Sequence, residues 1–463
     1  MSTPPPAKPP AAGRREGSLE APTRHPLDWR SDAFYDPGAL EEELERVFDI
    51  CHGCRRCFSL CNAFPVLFDA VDATKEGEVA ALDKKVFWQV VDHCYLCDMC
   101  FMTKCPYVPP HPWNVDFPHL MLRAKAQRVR TQGLRLRERA LAATDTVGSL
   151  AGIPVVAELV NAVNHSALGR ALLEKTLGVA RDAPVPPYSA TSARRRLRRL
   201  GTTSRPASID SGRSARASAE TRGRVALFIT CYGDHNAPEL AEDLVAVFEH
   251  NGIEITLLPH ERCCGMPRLE LGDLAAVDAL KRANVPELAA AIAAGFDVVA
   301  PIPSCVLMFK QELPLMYPDD PQVRSIAERI FDPFEYLMLR HQAGLLRTDF
   351  KEALGKVAYH VPCHLRVQNL GLKTRDALKL VPGTTVDVIE RCSGHDGTYG
   401  VKREFRAASA KIGRPVAQRV ELAKADHYGS DCPMAGEQIE SLLGEPRRAP
   451  EHPLTLLRRA YGL

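Results

Sequence analysis

Cysteine is the residue type whose spacing carries chemistry in this chain. Of 15 cysteines, eight fall between Cys51 and Cys105. Cys51, Cys54, Cys57 and Cys61 form C-x2-C-x2-C-x3-C. Cys94, Cys97, Cys100 and Cys105 form C-x2-C-x2-C-x4-C, followed by Pro106. Three thiolates two residues apart wrap one loop around three corners of an iron–sulfur cube, and the fourth ligand of such two-cluster sequences comes from the other motif. The spacing therefore assigns Cys51, Cys54, Cys57 and Cys105 to one [4Fe–4S] cluster and Cys94, Cys97, Cys100 and Cys61 to a second. Zinc is the alternative, but its usual signature is paired C-x2-C units, and a triple run leaves one thiolate too many per loop. Two departures stand out: Asn62 occupies the place where proline often follows the fourth cysteine, and one extra residue precedes Cys105. His52 and His93 flank first cysteines and are read as covering groups, because the thiolates already complete two sets of four.

The other seven cysteines are spread over the C-terminal half in a repeated order. Cys231, the pair Cys263-Cys264 before Gly265, and Cys305 are followed by Cys363, Cys392 before Ser393-Gly394, and Cys432. Corresponding residues lie 132, 129 and 127 positions apart, a near-constant offset that indicates an internal duplication. Adjacent cysteines are poor partners on one tetrahedral zinc. They suit a larger cluster approached by a tight loop, and Gly265 lets the backbone come close. The plainer reading, small apolar residues buried at strand ends, does not explain seven cysteines in register.

The elements that must position these residues can be read from periodicity. Residues 1–37 form a Pro-rich tail with little hydrophobic pattern. Residues 39–50 read as a helix leading into Cys51, with acidic residues in its first turn. Helical patterns lie before Cys94 (DKKVFWQVVDH) and across residues 116–180. Residues 181–222, rich in Arg, Ser and Pro, read as an exposed linker. From there strand and helix alternate: RVALFIT, IEITLL and DVVAPI in residues 223–345, then KVAYHV, TVDVIE and a weaker DHYGSD in residues 346–463. Such alternation predicts parallel sheets covered by helices, with all three cysteine positions of each repeat at one sheet edge, where open α/β sheets bind ligands. The expected fold is a multidomain α+β chain: a helical two-cluster ferredoxin over 38–115, a helical basic and amphipathic segment over 116–180, and two duplicated α/β domains.

The layout Cys…Cys-Cys-Gly…Cys resembles the cysteine-rich CCG domain of heterodisulfide reductases. That domain occurs in tandem behind a two-cluster ferredoxin in the D subunit of those enzymes, in the iron–sulfur C subunits of the anaerobic glycerol-3-phosphate dehydrogenase family, and in related lactate and glycolate oxidase subunits. The strings YHVPCHLRVQNLG (359–371), RCSGHDGTYGVKREF (391–405) and EHPLTLL (451–457) are most similar to the glycerol-3-phosphate dehydrogenase subunits. The resemblance implies that Cys231, Cys263, Cys264 and Cys305 are candidates for a third cluster. Cys363, Cys392 and Cys432 either take Ser393 or solvent as a further ligand or hold no metal. Heterodisulfide reductases use five cysteines per intact CCG domain, whereas Met308 and Ala435 stand here at the fifth position and Ser393 replaces one of the pair. That places a disulfide-cleaving role in doubt.

Composition narrows the remaining classes. The chain has 463 residues, 59 Lys plus Arg against 57 Asp plus Glu, 45% hydrophobic and 25% charged residues, which is globular composition. No apolar run is long enough to span a bilayer. Arg14-Arg15 has no hydrophobic segment after it and no secretory signal is visible, so the thiols are expected to be reduced and the chain cytoplasmic. Seven Lys or Arg between His119 and Arg139, followed by apolar residues around Ile153 to Val160, suggest a helix pair peripheral on the inner face of the cytoplasmic membrane, or one packed on its own domains. The Arg run at 194–199 lacks a nucleic-acid recognition fold around it. No Gly-rich dinucleotide fingerprint occurs in context. The chain is therefore expected to be an iron–sulfur electron-transfer subunit. The resemblance implies a flavoprotein dehydrogenase partner of glycerol-3-phosphate, lactate or glycolate type as donor, and quinone or another acceptor. The alternative is a catalytic subunit that reduces a disulfide or other acceptor at the CCG site.

Overall fold

A computed structural model describes residues 22–201 and 216–463. The N-terminal third is helical. Helix Pro37–Cys54 starts where Asp36 accepts a hydrogen bond from the Ala39 N–H at 2.7 Å and Pro37 presets the first turn. It ends at Arg55, whose left-handed backbone turns the chain away. The helix runs further than expected, so its last turn carries both Cys51 and Cys54. Leu40, Leu44, Val47 and Phe48 form its buried stripe. Helices Ala63–Asp72 and Lys84–His93 pack beside it. Phe48 meets Phe87 edge-on at 5.1 Å, and Phe64 meets Phe117 at 4.8 Å.

Residues 22–37 differ from the expected loose tail, of which residues 1–21 lie outside the described residues. Arg24 reaches into the ferredoxin-like region and bonds Asp98 at 2.7 Å and Asp116 at 2.8 Å. Trp29 Nε1 donates to the Met316 carbonyl at 3.0 Å. Two buried carboxylates and an indole slot therefore give this segment fixed partners, which hydrophobic periodicity does not reveal.

Two parallel sheets follow. In the first, β1 (Arg224–Leu227), β2 (Glu254–Leu257), β3 (Asp297–Val299) and β4 (Ile330–Phe331) are arranged β2-β1-β3-β4. In the second, β5 (Lys356–His360), β6 (Thr385–Ile389) and β7 (His427–Ser430) are arranged β6-β5-β7. Every pairing is parallel, and the shared order 2-1-3 is the duplication in three dimensions. The two-residue β4 is too short to carry a periodic signal. The repeats are stitched by the C-terminal helix Pro453–Tyr461, whose Thr455 and Arg458 bond Asp243 of the first repeat at 2.5 and 2.7 Å.

One sequence expectation changes here, and one of two placements left open is found. Residues Ala193–Arg199 of the expected exposed linker form a helix with Ala193 and Leu197 buried. Arg194 pairs with Glu261 at 3.2 Å and donates to the Leu258 carbonyl. Partners distant in sequence thus hold Arg194, while Arg195, Arg198 and Arg199 stay exposed; residues 202–215 lie outside the described residues. The basic helix Phe117–Gln132 is a central packing element rather than a membrane-facing one. Lys125 is buried and donates to the Cys94 and Glu270 carbonyls, Arg123 to the Phe34 carbonyl at 2.7 Å, and Arg128 pairs with Asp92 at 2.6 Å. Its charges are met within the protein.

The apolar segment after it is different. Helices Thr144–Ala151, Pro154–His165 and Ala167–Leu177 leave Leu150 60%, Val155 77% and Leu159 64% exposed, with Leu168 and Leu172 also exposed. Among the described residues no single helix is long and apolar enough to cross a membrane; the pair Thr144–Ala151 and Pro154–His165 is so only in combination, bent by 107°.

Candidate metal centres and the cavity between the repeats

Fifteen free cysteines, most of them grouped, define the site. Cys51 and Cys54, on the last turn of the first helix, face Cys57 and Cys105. Burial pushes the Cys51 thiol up, and Cys57, Cys105 and Cys54 push it further. Cys57 rises to about 12 through burial and the same neighbours, and Cys105 to about 11 through burial. This set lines a small pocket with Phe64, Phe68 and Val115.

The second set is equally enclosed. Cys61 is raised by burial, then by Cys94 and Cys97. Cys100 is raised by burial, then by Cys57, Cys97, Cys94 and Cys61. Cys94 reaches about 12 through burial, with Lys125 pulling the other way. Between Cys94 and Cys100 the chain turns tightly through Leu96 (φ 56°) and Asp98 (φ 60°). Thiols grouped this closely, with Cys94 and Cys100 buried and Cys61 and Cys97 half-buried, suit thiolate ligation of a shared cationic group. The donor chemistry fits an iron–sulfur cluster, and Cys61 of the first motif lies with Cys94 and Cys97 of the second. Cys100 also feels Cys57, so the two sets adjoin.

The first repeat gathers its four cysteines at the C-terminal ends of its strands. Cys231 opens a short helix after β1, Cys263 and Cys264 follow β2, and Cys305 lies in the first turn after β3. Cys263 is hydrogen-bonded to Cys231 and Cys264, which hold its thiol well below its ordinary range. Cys264 bonds Cys263 and Cys305, and both drive it upward. The Cys263 N–H donates to Asp145 at 2.6 Å, so the apolar helix Thr144–Ala151 docks on the cysteine loop. Four thiols in mutual contact fit a cluster.

The second repeat arranges its three differently. The Cys363 thiol is raised by hydrogen bonds to Cys392 and to Cys97 of the ferredoxin-like region. Cys392 is lowered to about 7 by the hydrogen bond from Cys363, against burial, and receives a Tyr95 hydroxyl at 3.4 Å and the Gly394 N–H at 3.3 Å. Cys432 is raised to about 12 by burial, and its charged neighbours are Asp396 and Glu437. Cys363 thus pairs with Cys392 and with Cys97, and Ser393 stands where Cys264 links the first repeat.

All seven of these cysteines line one cavity of about 600 Å3 between the repeats. Its other wall is apolar: Val147, Leu150, Val156, Val160, Leu173 and Leu177 come from the helical segment after residue 140.

Comparison with known proteins agrees with this architecture. The CCG cysteine-rich domain matches twice, at residues 225–310 and 357–437. The C subunit of anaerobic glycerol-3-phosphate dehydrogenase of Escherichia coli (strain K12) is 30% identical over 355 residues, which cover 76% of this chain and 83% of that protein. The chain belongs to the family of these dehydrogenase C subunits. Similarity extends into the wider CCG group. Lactate utilization protein A of Bacillus pumilus (strain SAFR-032) is 28% identical over 220 residues, covering 45% of the chain and 87% of that protein. The B subunit of fumarate reductase (CoM/CoB) of Methanothermobacter marburgensis is 26% identical over 225 residues, covering 48% of the chain and 42% of that protein. These relatives support iron–sulfur clusters and a role within an oxidoreductase for this member of the family.

The sequence reading missed several residues of the site. Tyr95 and Asp145 touch the cysteines of the repeats, and Glu270, His364 and Asp396 line the cavity. Tyr95 lies inside a C-x2-C run, where it reads as spacer. His364 directly follows Cys363, and that adjacency was the one available signal.

Proposed function

We propose that this family member is the electron-transfer subunit of a membrane-associated oxidoreductase. It accepts electrons from a partner flavoprotein dehydrogenase of the glycerol-3-phosphate, lactate or glycolate type and delivers them to a quinone-class acceptor in the cavity between the repeats. The observation that carries the reading is continuity: Cys57 adjoins Cys100, Cys97 adjoins Cys363, and Cys363 adjoins Cys392, both of which line the cavity. Cys51, Cys54, Cys57 and Cys105 would hold one [4Fe–4S] cluster, Cys61, Cys94, Cys97 and Cys100 a second, and Cys231, Cys263, Cys264 and Cys305 a further cluster. Clusters so bound take up and release single electrons, with potentials set by their surroundings.

The residues around them supply the rest. Burial keeps water from the thiols, Lys125 places a positive charge beside Cys94, and the wall of Val147, Val156, Val160 and Leu173 suits a lipophilic ring and tail. The exposed Leu150, Val155, Leu159, Leu168 and Leu172 beside this wall form an apolar surface suited to the membrane interface. The disulfide-reducing alternative is weaker, because buried Met308 stands at the fifth ligand position, in a π-helical turn.

Reoxidation of the anaerobically reduced holoprotein by a short-chain quinone analogue tests the reading. Val160→Trp, which narrows the cavity, is expected to slow reoxidation at least tenfold with iron content unchanged. Equal rates in both proteins would overturn the cavity as acceptor site.

A further inference from the structure

Where the two repeats face each other, three side chains without sulfur converge. Glu270 comes from the end of the turn after Cys263-Cys264-Gly265, His364 from the helix start at Cys363, and Asp396 from the loop after Cys392. One oxygen or nitrogen of each lies within 4.8 Å of the other two. Glu270 is 7% and His364 6% exposed, and all three line the cavity.

We propose that Glu270, His364 and Asp396 form a binding site for one divalent transition-metal ion, distinct from the cysteine sets and bridging the two repeats. One imidazole nitrogen with two carboxylates suits Zn2+, Fe2+ or Mn2+ rather than a thiolate-preferring ion.

Four observations carry this. First, His364 Nε2 is buried and completes no well-formed hydrogen bond, the Leu96 main chain acting on the ring without satisfying it, and such a nitrogen calls for a partner. Its other nitrogen, Nδ1, is held by Ser304 Oγ at 2.8 Å, the outer hydrogen bond that orients a metal-ligating histidine. Second, His364 Nε2 and Asp396 Oδ1 are 3.7 Å apart. An ion about 2.1 Å from both would subtend roughly 120°, close to tetrahedral or trigonal-bipyramidal geometry.

Third, the backbone makes room. A Cβ on Gly397 would lie 1.7 Å from Glu270 Oε2, so the glycine admits the carboxylate into the space beside Asp396. Fourth, the two carboxyls offer oxygens within 4.8 Å of one another, and the ammonium groups that act on Glu270 are Lys125 and Lys402. Those two ammonium groups are engaged elsewhere, Lys125 with main-chain carbonyls and Lys402 near Glu138 at 3.8 Å. His395, beside His364, has a second unpartnered Nε2 in the same wall.

This inference does not depend on what the cavity receives. The test is equilibrium dialysis of the anaerobically purified full chain, clusters intact, against micromolar Mn2+ or Zn2+ alone, with bound metal read by elemental analysis. The expected result is one equivalent of at least one ion per chain, with affinity falling tenfold or more in Glu270→Gln and Asp396→Asn, the range for losing a metal-site contact. Iron, sulfide and the visible cluster absorption should stay unchanged. Glu270→Gln preserves shape, so it separates ligand loss from misfolding. No bound equivalent of either ion, or the same binding in both variants, would overturn the proposal.

Discussion

The two repeats start from the same plan and end with different chemistry. Each has a 2-1-3 parallel sheet, and each presents cysteines at the ends of its strands. In the first, Cys264 connects Cys263 to Cys305 and four thiols join. In the second, Ser393 removes that link, Cys432 turns to Asp396, and Cys363 with Cys392 joins Cys97. One changed residue in a cysteine pair, together with one ferredoxin loop, accounts for the difference. The lesson is that a duplicated scaffold conserves where ligands are offered, while the neighbours decide whether they assemble.

The largest expected effect separates the repeats directly. Cys264→Ser should remove about four irons per chain, the content of one cluster, whereas Cys432→Ser should remove none. Iron and acid-labile sulfide on the anaerobically purified variants check this. Equal losses would erase the contrast.

Removing the clamp that holds the ferredoxin loop in place comes next. Arg24 pairs with Asp98 and Asp116 and lies 3.5 Å from Glu312, all largely buried. Arg24→Met leaves these carboxylates uncompensated and should destabilise the chain by about 3–5 kcal/mol. Denaturant unfolding measures it, and loss of the second cluster's absorption before the first would locate the damage at the Asp98 turn.

The paired glycines sharpen the comparison further. Gly265 has φ +104°, and the nearest atom to an added Cβ is Met308 Cε at 3.6 Å; Gly394 has φ +77°, and its Cβ would meet the Ser409 carbonyl oxygen at 2.2 Å. Gly265→Ala therefore carries only backbone strain, roughly 1–2 kcal/mol, while Gly394→Ala must also displace main chain. Thermal unfolding should rank Gly394→Ala as the more damaging.

The smallest effect is a pH profile. The hydrogen bond from Cys363 lowers Cys392 to about 7. A depressed thiol pKa means that thiolate grows as pH rises through about 7, so alkylation by iodoacetamide should climb through that pH and level above it. Cys363→Ala removes the donor and should move the midpoint up. A midpoint near that of an ordinary thiol in the unsubstituted protein would contradict the pairing.

The sequence made some of this legible and hid the rest for identifiable reasons. Strands β1 to β3 and β5 to β7 follow from local periodicity, and the duplication from the near-constant cysteine offset. Arg24, the Arg194–Glu261 pair and the buried Lys125 were not legible, since a charge reads as solvated until its distant partner is known. Tyr95 on Cys392 joins residues 297 positions apart. Glu270, His364 and Asp396 belong to different repeats and meet only when the sheets face each other.

Whether the first repeat holds a cluster and the second does not is read from iron, acid-labile sulfide and zinc in the anaerobically purified full chain. About twelve irons with matching sulfide are predicted, four for each ferredoxin set and four for the first repeat. About sixteen would mean that both repeats are loaded, about eight that neither is, and zinc without sulfide would contradict the electron-transfer reading altogether.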